Sequence, residues 1–406
     1  MNAHTEPVTA GAEVMPYPFH RSAPLTTPGE FALLRAEQPV AEVKLPSGSS
    51  AYLVTRYDDV KMVLSDSRFS RAALTRPDAP KVSPIPMPPN ALFTTDPPEH
   101  TRLRGLVGRA FTARATERMR SRVRELAGRL LAAMGNGPRP ANLIEHLVFP
   151  LPLAFTCELL GVPYSDRDAL RGWSDRIFAI GDFPEQEVLT AYGEIWEYLG
   201  GLLDSKRADP REDMLSDLVA VNDDQGFISQ DDLIILTMTL LMVGYPTTVD
   251  MLSCGLLMLL SHPDQYAALA SGPELLEPAV EELLRLNPPS SNLSNVRVAT
   301  EDAEVAGTVI PAGSGVIPCF TSANRDERRF ADPERFDIRR RDAGHIALGH
   351  GPHFCLGAAL ARVEIQEALR ALTARFPSLR LAGPPEAVPW RESMFGIEIK
   401  ELLVTW

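Results

Sequence analysis

Apolar residues recur every three to four positions over long stretches of this 406-residue chain, which is typical of helices that bury one face. Strict alternation is confined to short segments, which are typical of strands. The pattern predicts helices over residues 57–64, 99–135, 139–160, 164–206, 231–261 and 274–286, and strands within 39–56, 296–319 and 389–406. The predicted fold class is therefore mainly α with minor β sheets.

The helix predicted over 231–261 is the longest apolar segment. Ser229 is placed to cap its first turn, with Asp232 three residues later, and Pro263 lies beyond its end. At 1.5 Å per residue it spans about 45 Å, so we expect it to cross the middle of the protein. A membrane span is the alternative, but Pro246 and the charged Asp250 near its centre disfavour one.

Composition and charge narrow the class of protein. The chain is 45% hydrophobic, enough for a large core, and carries a net charge of −13. Repulsion by that charge argues against nucleic acid or an anionic membrane as the main partner. Residues 1–15 have neither a cationic start nor an apolar run, so we expect a flexible tail before one domain over 16–406. Four widely spaced cysteines favour a reducing, cytoplasmic location.

One of these cysteines lies in the stretch "LGHGPHFCLG", residues 348–357. In the simplest interpretation Cys355 only caps the helix that follows. A zinc site of His345, His350, His353 and Cys355 is a second interpretation, although the spacing of a zinc finger is missing. A third is a thiolate at a helix start, with a lowered pKa, bound to one soft metal centre such as haem iron.

The glycines, His353 and Cys355 in this stretch resemble the cysteine-loop signature of the cytochrome P-450 family, the haem-thiolate monooxygenases. Leu348 departs from it, because the family usually has Phe there. "EELLR" resembles the family's Glu-x-x-Arg motif through Glu282 and Arg285, and "FADPERFD" resembles the later element whose Arg335 is expected to join that pair. The resemblance covers residues from about 15 to the end. It implies the P-450 fold, with haem b between the long central helix and the cysteine-loop helix.

The same resemblance assigns the haem ligands. Cys355 would bind the iron, and its propionates would be bound by His100 and Arg104 in "DPPEHTRLR", by Arg297 and by His353. Two buried carboxylates need such cations or donors, because an unpaired buried charge is costly.

The central helix departs from the family at one position. In "VGYPTT", Gly244 and Thr247 match the oxygen-activating motif, but Pro246 replaces the family's acid. Proline cannot relay protons, lacks an N–H and frees the carbonyl of Met242. We consider three outcomes: Thr247 with ordered water supplies protons, the substrate does, or the reaction uses an intermediate before O–O cleavage. The first two give ordinary hydroxylation or epoxidation, which we favour, and the third an atypical coupling or nitration.

The resemblance also places the substrate. Expected contacts are the proline-rich loop 74–93, which contains six prolines, and Leu240, Val243, Thr247, Asn292, Asn295, Met394 and Phe395. The polar run 290–295 is interpreted equally well as hydrogen-bonding a polar substrate or as a self-bonded turn.

Nine arginines between residues 100 and 130 form a cationic stretch in an acidic chain, where a small acidic electron carrier would dock on the thiolate side. A solvated helix face is the alternative. Because no flavin or nicotinamide motif follows a predicted strand, we expect electrons from ferredoxin and ferredoxin reductase. The predicted function is O2-dependent oxidation of a small molecule by a soluble, cytoplasmic monomer in secondary-metabolite biosynthesis. A haem-binding gas sensor is the alternative from another class.

Overall fold

The computed structural model describes residues 14–81, 87–179, 182–288, 292–342, 344–394 and 396–406. Helices dominate these ranges, as the spacing of apolar residues predicted. The helices are α1 (Glu30–Glu37), α2 (Tyr57–Ser65), α3 (Glu99–Val107), α4 (Ala113–Gly135), α5 (Pro150–Leu160), α6 (Arg167–Phe178), α7 (Glu185–Ala208), α8 (Met214–Gln225), α9 (Gln230–Gly244), α10 (Pro246–Leu260), α11 (Pro263–Ser271), α12 (Leu276–Leu286), α13 (Phe320–Ala323) and α14 (Ala358–Arg375).

The strands form small sheets at the edge of the helical body. They are β1 (Met15–Pro16), β2 (Val40–Lys44), β3 (Ser50–Val54), β4 (Phe69–Ser70), β5 (Ala141–Asn142), β6 (Arg297–Ala299), β7 (Ala303–Val305), β8 (Thr308–Ile310), β9 (Gly315–Pro318), β10 (Arg380–Leu381), β11 (Trp390–Ser393), β12 (Gly396–Ile399) and β13 (Leu403–Thr405). The largest sheet has the order β1-β2-β3-β9-β6-β4. A three-stranded sheet (β10-β13-β5) and two hairpins, β11-β12 and β7-β8, complete the set.

The central helix joins the two largest groups of buried residues. Side chains of α9 pack with α5, α6 and α7, whereas those of α10 pack with α4, α12 and α14. By length and composition, Gln230–Leu260 is apolar enough to cross a membrane, but half of its most apolar window is buried inside the fold. Buried core helices have this composition, and the two packed groups account for its apolar faces.

Several predicted elements are confirmed, and others are divided. The hairpin β2-β3, helix α2 and the cap by Ser229, whose Oγ accepts from the Asp232 N–H at 3.1 Å, are where the sequence places them. The helix predicted over 99–135 is broken, because Thr112 caps a new helix, α4. The segment 139–160 begins with β5 and a short π-helical turn, Ile144–Val148, before α5.

The N-terminal tail expected over residues 1–15 lies mostly outside the described residues. Met15, however, already pairs with Val43 in parallel strands. The proline-rich loop predicted over 74–93 begins at the end of a short 3-10 helix, Ala72–Thr75. The rest of its described part has no regular element, and 82–86 lie outside the described residues.

Candidate active site

The cysteine loop is a tight turn that needs its glycines. Gly349 and Gly351 have φ of 83° and 71°, in the left-handed region. A Cβ on Gly351 would lie 2.6 Å from the Leu64 carbonyl oxygen, so no other residue fits there. The Cys355 N–H donates to Leu348 O at 2.9 Å, which fixes the cysteine three residues before α14 begins.

Burial raises the pKa of the Cys355 thiol above its ordinary value, against the opposing effects of the Gly357 N–H and of nearby Arg104 and Arg362. The lowered pKa predicted from a helix start is therefore not found, because burial outweighs those favourable interactions. A bound metal cation would reverse this balance, since it deprotonates a coordinating thiol.

Cationic and imidazole side chains from three distant segments converge beside the cysteine loop. His100 lies on α3, Arg297 on β6 and His353 in the loop, and Arg104 lies one turn after His100. The His100 and His353 rings lie with centroids 4.1 Å apart. His100 and Arg297 are each only 2% exposed. The four propionate ligands expected from the resemblance thus lie in one region, in which His100 and Arg297 are buried and Arg104 and His353 are half-buried.

Positive charge dominates this region, where Asp96 is the one carboxylate found acting on Arg71, Arg297 and His100 among the described residues. Burial, followed by the charges of Arg71, His100, Arg297 and Arg104, lowers the pKa of His353 to about 2. Burial and then Arg71 lower the pKa of Arg297 to about 9. The His353 Nε2 atom is buried and has no hydrogen-bond partner. A buried cluster with these properties is suited to bind an anion.

Arg71 is a member of this cluster that the sequence did not reveal. Its guanidinium donates to the carbonyl oxygens of Phe93 (2.7 Å), Ser294 (3.0 Å) and Val296 (2.7 Å), so it links the loop before α3 to the turn before Arg297. Asp96 accepts from the Arg71 N–H at 2.9 Å. The residue belongs to no motif, and its role depends on contacts made only after folding.

The central helix is interrupted where Pro246 occurs. Helix α9 ends at Gly244, Tyr245 forms a turn, and Pro246 is the first residue of α10. The N–H groups of Thr248 and Val249 both donate to Tyr245 O, at 3.1 and 3.0 Å. Proline is favoured at a first helical position, so the break places it where its missing N–H costs little.

The Thr247 hydroxyl donates to Val243 O at 3.0 Å. This contact differs from the arrangement considered from the sequence, in which water on the Met242 carbonyl joins Thr247. A Cβ on Gly244 would meet the nearest atom, Thr156 Cγ2, at 3.6 Å, which is an ordinary contact. Packing on that side therefore does not itself require glycine.

The expected substrate contacts are only partly described. Leu240 is buried, and Val243, Thr247, Asn295 and Met394 are half-buried. The Asn295 side chain donates to Ser294 Oγ at 3.2 Å. The backbone carbonyl of Asn295 accepts from the Arg297 side chain at 2.8 Å, as in a self-bonded turn. Asn292 begins the same short turn. Phe395 lies outside the described residues.

A buried ion pair fastens α12 to the segment 333–340. Arg285 donates to both carboxylate oxygens of Glu282 at 2.7 and 2.9 Å. The third member of this network is Arg340, whose Nε lies 3.2 Å from Glu282 Oε2. The prediction that the Arg335 side chain joins the pair is wrong. Arg335 contributes its carbonyl oxygen to Arg285, while its side chain is 68% exposed beside Asp337. The two arginines lie five residues apart, and side-chain direction decides between them.

A second network lies close to the cysteine. Glu281 accepts from Arg362 at 2.7 and 2.9 Å and contacts His345 at 3.0 Å. Burial alone would raise the pKa of Glu281, but these hydrogen bonds lower it to about 2. Because His345 is engaged here and His353 packs on His100, the zinc interpretation fails. Among the residues with a described placement, no group of three His, Cys, Asp or Glu side chains could hold a metal ion.

The arginine-rich stretch is less free than the sequence predicts. Five of its nine arginines have salt-bridge partners, namely Arg102, Arg120, Arg122, Arg124 and Arg129. Arg120 and Arg124 both bind Glu367, at 2.9 and 2.7 Å, and thereby fasten α4 to α14. Exposed cations without a salt bridge in the described structure are Arg109, Arg114 and Arg118.

Comparison with known proteins identifies the family. The cytochrome P450 family model matches residues 273–403. The chain is 44% identical over 391 residues to nocardicin C N-oxygenase of Nocardia uniformis subsp. tsuyamanensis, covering 96% of this chain and 98% of the relative. The chain belongs to the cytochrome P450 family. It is also 39% identical over 395 residues to mycinamicin IV hydroxylase/epoxidase of Micromonospora griseorubida, covering 97% and 99%.

The fold agrees with that of solved cytochromes P450. The crystal structure of HinD with NMFT and NO matches with a TM-score of 0.93 and 41% identity, covering 97% of this chain and all of that one. The protein is accordingly an oxidoreductase of the P450 monooxygenase type, a family characterised by a haem-thiolate iron. Like its bacterial relatives, it acts on small molecules and depends on redox partners.

The residues present fit that haem. The unpartnered Nε2 of His353 and the surrounding cations suit propionates, and Cys355 supplies the single thiolate. A Cβ on Gly357 would meet no atom within 4 Å, so the chain leaves open space directly after the cysteine. His100, Arg104, Arg297, His353 and Arg71 would hold the group's carboxylates.

Proposed function

We propose that this P450 binds haem b through Cys355 and uses O2 to hydroxylate or epoxidise a small organic molecule. The observation that carries the proposal is the convergence of Cys355 with His100, Arg297 and the unpartnered His353. These side chains come from separate segments, and their ordinary roles on a surface are excluded by burial.

In this proposal the protein aims chemistry that belongs to its cofactor. The haem supplies O2 activation, which no side chain can perform. The buried cations would bind its carboxylates, and Cys355 would hold the iron. Leu240 and Val243 of α9, with Asn295 and Met394, would contact the substrate, and Asn292 and Phe395 stay expected contacts from the resemblance. Thr247 would hold a proton at its hydroxyl oxygen, which donates to Val243 O.

We place the substrate in secondary-metabolite biosynthesis. Two relatives are named for reactions of nocardicin C and mycinamicin IV, and they align with this chain over nearly their whole length. We therefore expect a substrate that carries polar groups on an apolar frame. The half-buried Asn295 beside the apolar Leu293 suits such a molecule.

An atypical oxidation is the second candidate. It is favoured by Pro246, which has no side chain able to transfer a proton, and by the Thr247 hydroxyl, which donates to a helix carbonyl. We retain ordinary oxygenation as the main proposal because Thr247 is present at the helix break.

Electrons would come from a ferredoxin and its reductase. Arg109, Arg114 and Arg118 are exposed and have no salt bridge in the described structure, and Phe354, next to Cys355, is 41% exposed. Exposed cations and an exposed aromatic side chain next to the cysteine suit a small acidic carrier. We further propose a monomeric, cytoplasmic protein that binds neither nucleic acid nor membrane and folds as one domain over 16–406.

Haem spectroscopy and O2 consumption test the function. The reduced enzyme should show the carbon monoxide difference band of a haem thiolate, and Cys355→Ala should lose it while Cys157→Ala, a buried thiol far from the loop, keeps it. A band retained in Cys355→Ala would refute thiolate ligation. A library screen for ligands that shift the haem band identifies substrates, and product formation with reduced ferredoxin tests turnover. Ligand binding without O2 consumption would instead support a sensor.

A further inference from the structure

A cavity lies between the N-terminal segment and the second half of the central helix. Its walls include Tyr17 and Phe31 on one side and Met251 and Ile397 on the other. A shallower depression at the surface shares four lining residues with it, Pro18, Phe19, Arg21 and Glu392. Because Glu392 is exposed, these shared residues connect the interior of the cavity to solvent.

Asp250 is a buried residue in the wall of this cavity. Its carboxyl is on α10, one helical turn after Pro246, and the residue is only 8% exposed. The polar contact described for it is weak, since Ser393 Oγ lies 3.4 Å from Oδ2. Residues four apart share a helix face, so Asp250 and Pro246 project from the same side of the helix. Thr247 precedes Asp250 by three residues, so these two side chains are also neighbours on the helix surface.

The surroundings of Asp250 favour its neutral form. Burial and then the negative charge of Glu398 on β12 raise the pKa of Asp250 well above its ordinary value. Ser393 and Arg391 on β11, together with Lys400 beyond β12, oppose this shift without cancelling it. Arg21, Arg325 and Glu392 are the other charged residues that line the cavity. A buried carboxyl that retains its proton and reaches water is equipped to give up that proton and recover it.

We propose that Asp250 is a proton-relay group, supplied with protons by water through this cavity, for the O2 chemistry assigned above. Reduction of O2 by two electrons and two protons gives hydrogen peroxide, and by four of each gives two waters. In the relay, the Asp250 O–H bond breaks and an O–H bond forms on water or on the Thr247 hydroxyl, which passes its own proton on. Cavity water then returns a proton to the carboxylate. The electrons come from the redox partner.

Infrared difference spectroscopy of the resting holoenzyme tests the relay without turnover. A protonated carboxyl has its own C=O band, which shifts when its proton is replaced by deuterium. Glu364 on α14 is the matched control, because it is also buried with a raised pKa but lines neither cavity. We expect one band that shifts within the mixing time and is lost in Asp250→Asn, and a slower band lost in Glu364→Gln. In Glu364→Gln, the remaining band belongs to Asp250. If that band is missing or exchanges slowly, the proposal is overturned. This result does not depend on whether Asp250→Asn folds.

Oxygen stoichiometry provides the second readout and needs no substrate. With reduced ferredoxin and O2 alone, Asp250→Asn should raise the ratio of peroxide to water by roughly tenfold or more, since positioned acids contribute at least that much. Ser393→Ala separates the relay from a structural tie, because it removes the hydroxyl contact and keeps the carboxyl. An equal rise in both variants, or none in Asp250→Asn, would overturn the relay. Wild-type haem that is reduced by dithionite under anaerobic conditions but not by ferredoxin would refute only the proposed partner.

Discussion

The imidazole rings of His100 and His353 pack with centroids 4.1 Å apart, one from α3 and the other from the cysteine loop. Burial, and after it the charge of nearby arginines that include Arg104 in both cases, lowers the pKa of each imidazole below the ordinary value. A neutral imidazole still donates one hydrogen bond, so the pair adds a donor without adding charge to an already cationic region. The contact also ties the loop that carries Cys355 to the helix that carries Arg104.

His353 is therefore expected to be required for haem retention. His353→Phe keeps the aromatic contact with His100 and removes Nε2, and it should speed haem loss by about tenfold or more, as for other supporting ligands. Transfer of haem to an excess of apoglobin measures this rate. His350→Phe, from the same loop but beside Lys61, is the control and should leave the rate unchanged. Equal rates in the two variants would contradict the assignment of His353 to a propionate.

The buried Glu282–Arg285 pair predicts different costs for substitution of two neighbouring arginines. Arg340→Ala removes a hydrogen bond to a buried carboxylate and should lower the free energy of unfolding by about 1.5–3 kcal/mol. Arg335→Ala should change it by less than about 0.5 kcal/mol, because that side chain is exposed. Urea denaturation measures both values. A larger loss in Arg335→Ala would restore the assignment made from the sequence.

Arg335 and Arg340 show which site residues cannot be assigned from the sequence. Hairpin β2-β3, helix α2 and the Ser229 cap were predictable because each depends on residues within a few positions. The cysteine loop was recognised because its glycines are required by backbone conformation. Arg71 and Arg340 were not found, since their roles depend on carbonyls and carboxylates far away in the chain. The same reason explains why five of the nine arginines near α4 are paired.

Glu281 predicts a dependence of stability on pH. Its pKa falls from an ordinary 4.5 to about 2 in the folded chain. A depressed folded pKa stabilises the protein above the unfolded pKa, and this stabilisation is lost as the pH falls through the folded one. Glu281→Gln should therefore lower the free energy of unfolding by on the order of 3 kcal/mol above pH ~4.5, with the difference from wild type shrinking toward pH ~2. Urea titrations across this range measure it, and a constant difference would contradict the assignment.

Pro246 should cost little stability where it stands. Pro246→Ala is expected to change the free energy of unfolding by less than about 1 kcal/mol, because a first-turn proline loses no hydrogen bond. Val249→Pro, three residues on, removes the bond from the Val249 N–H to Tyr245 O and should cost about 3 kcal/mol or more. Thermal and urea denaturation compare the two. A gain of about 3 kcal/mol in Pro246→Ala would show that the proline strains the helix.

The unpaired arginines predict the docking site of the electron carrier. Reversing Arg109, Arg114 and Arg118 to Glu should slow association with ferredoxin by about tenfold or more at low salt and flatten its dependence on ionic strength. Stopped-flow reduction of the haem measures the rate. The matched control reverses Arg102, Arg122 and Arg129, which makes the same change in net charge at arginines already held by carboxylates. Because long-range attraction depends on net charge and short-range docking on position, an equal loss in both triple variants would indicate general attraction rather than a defined site.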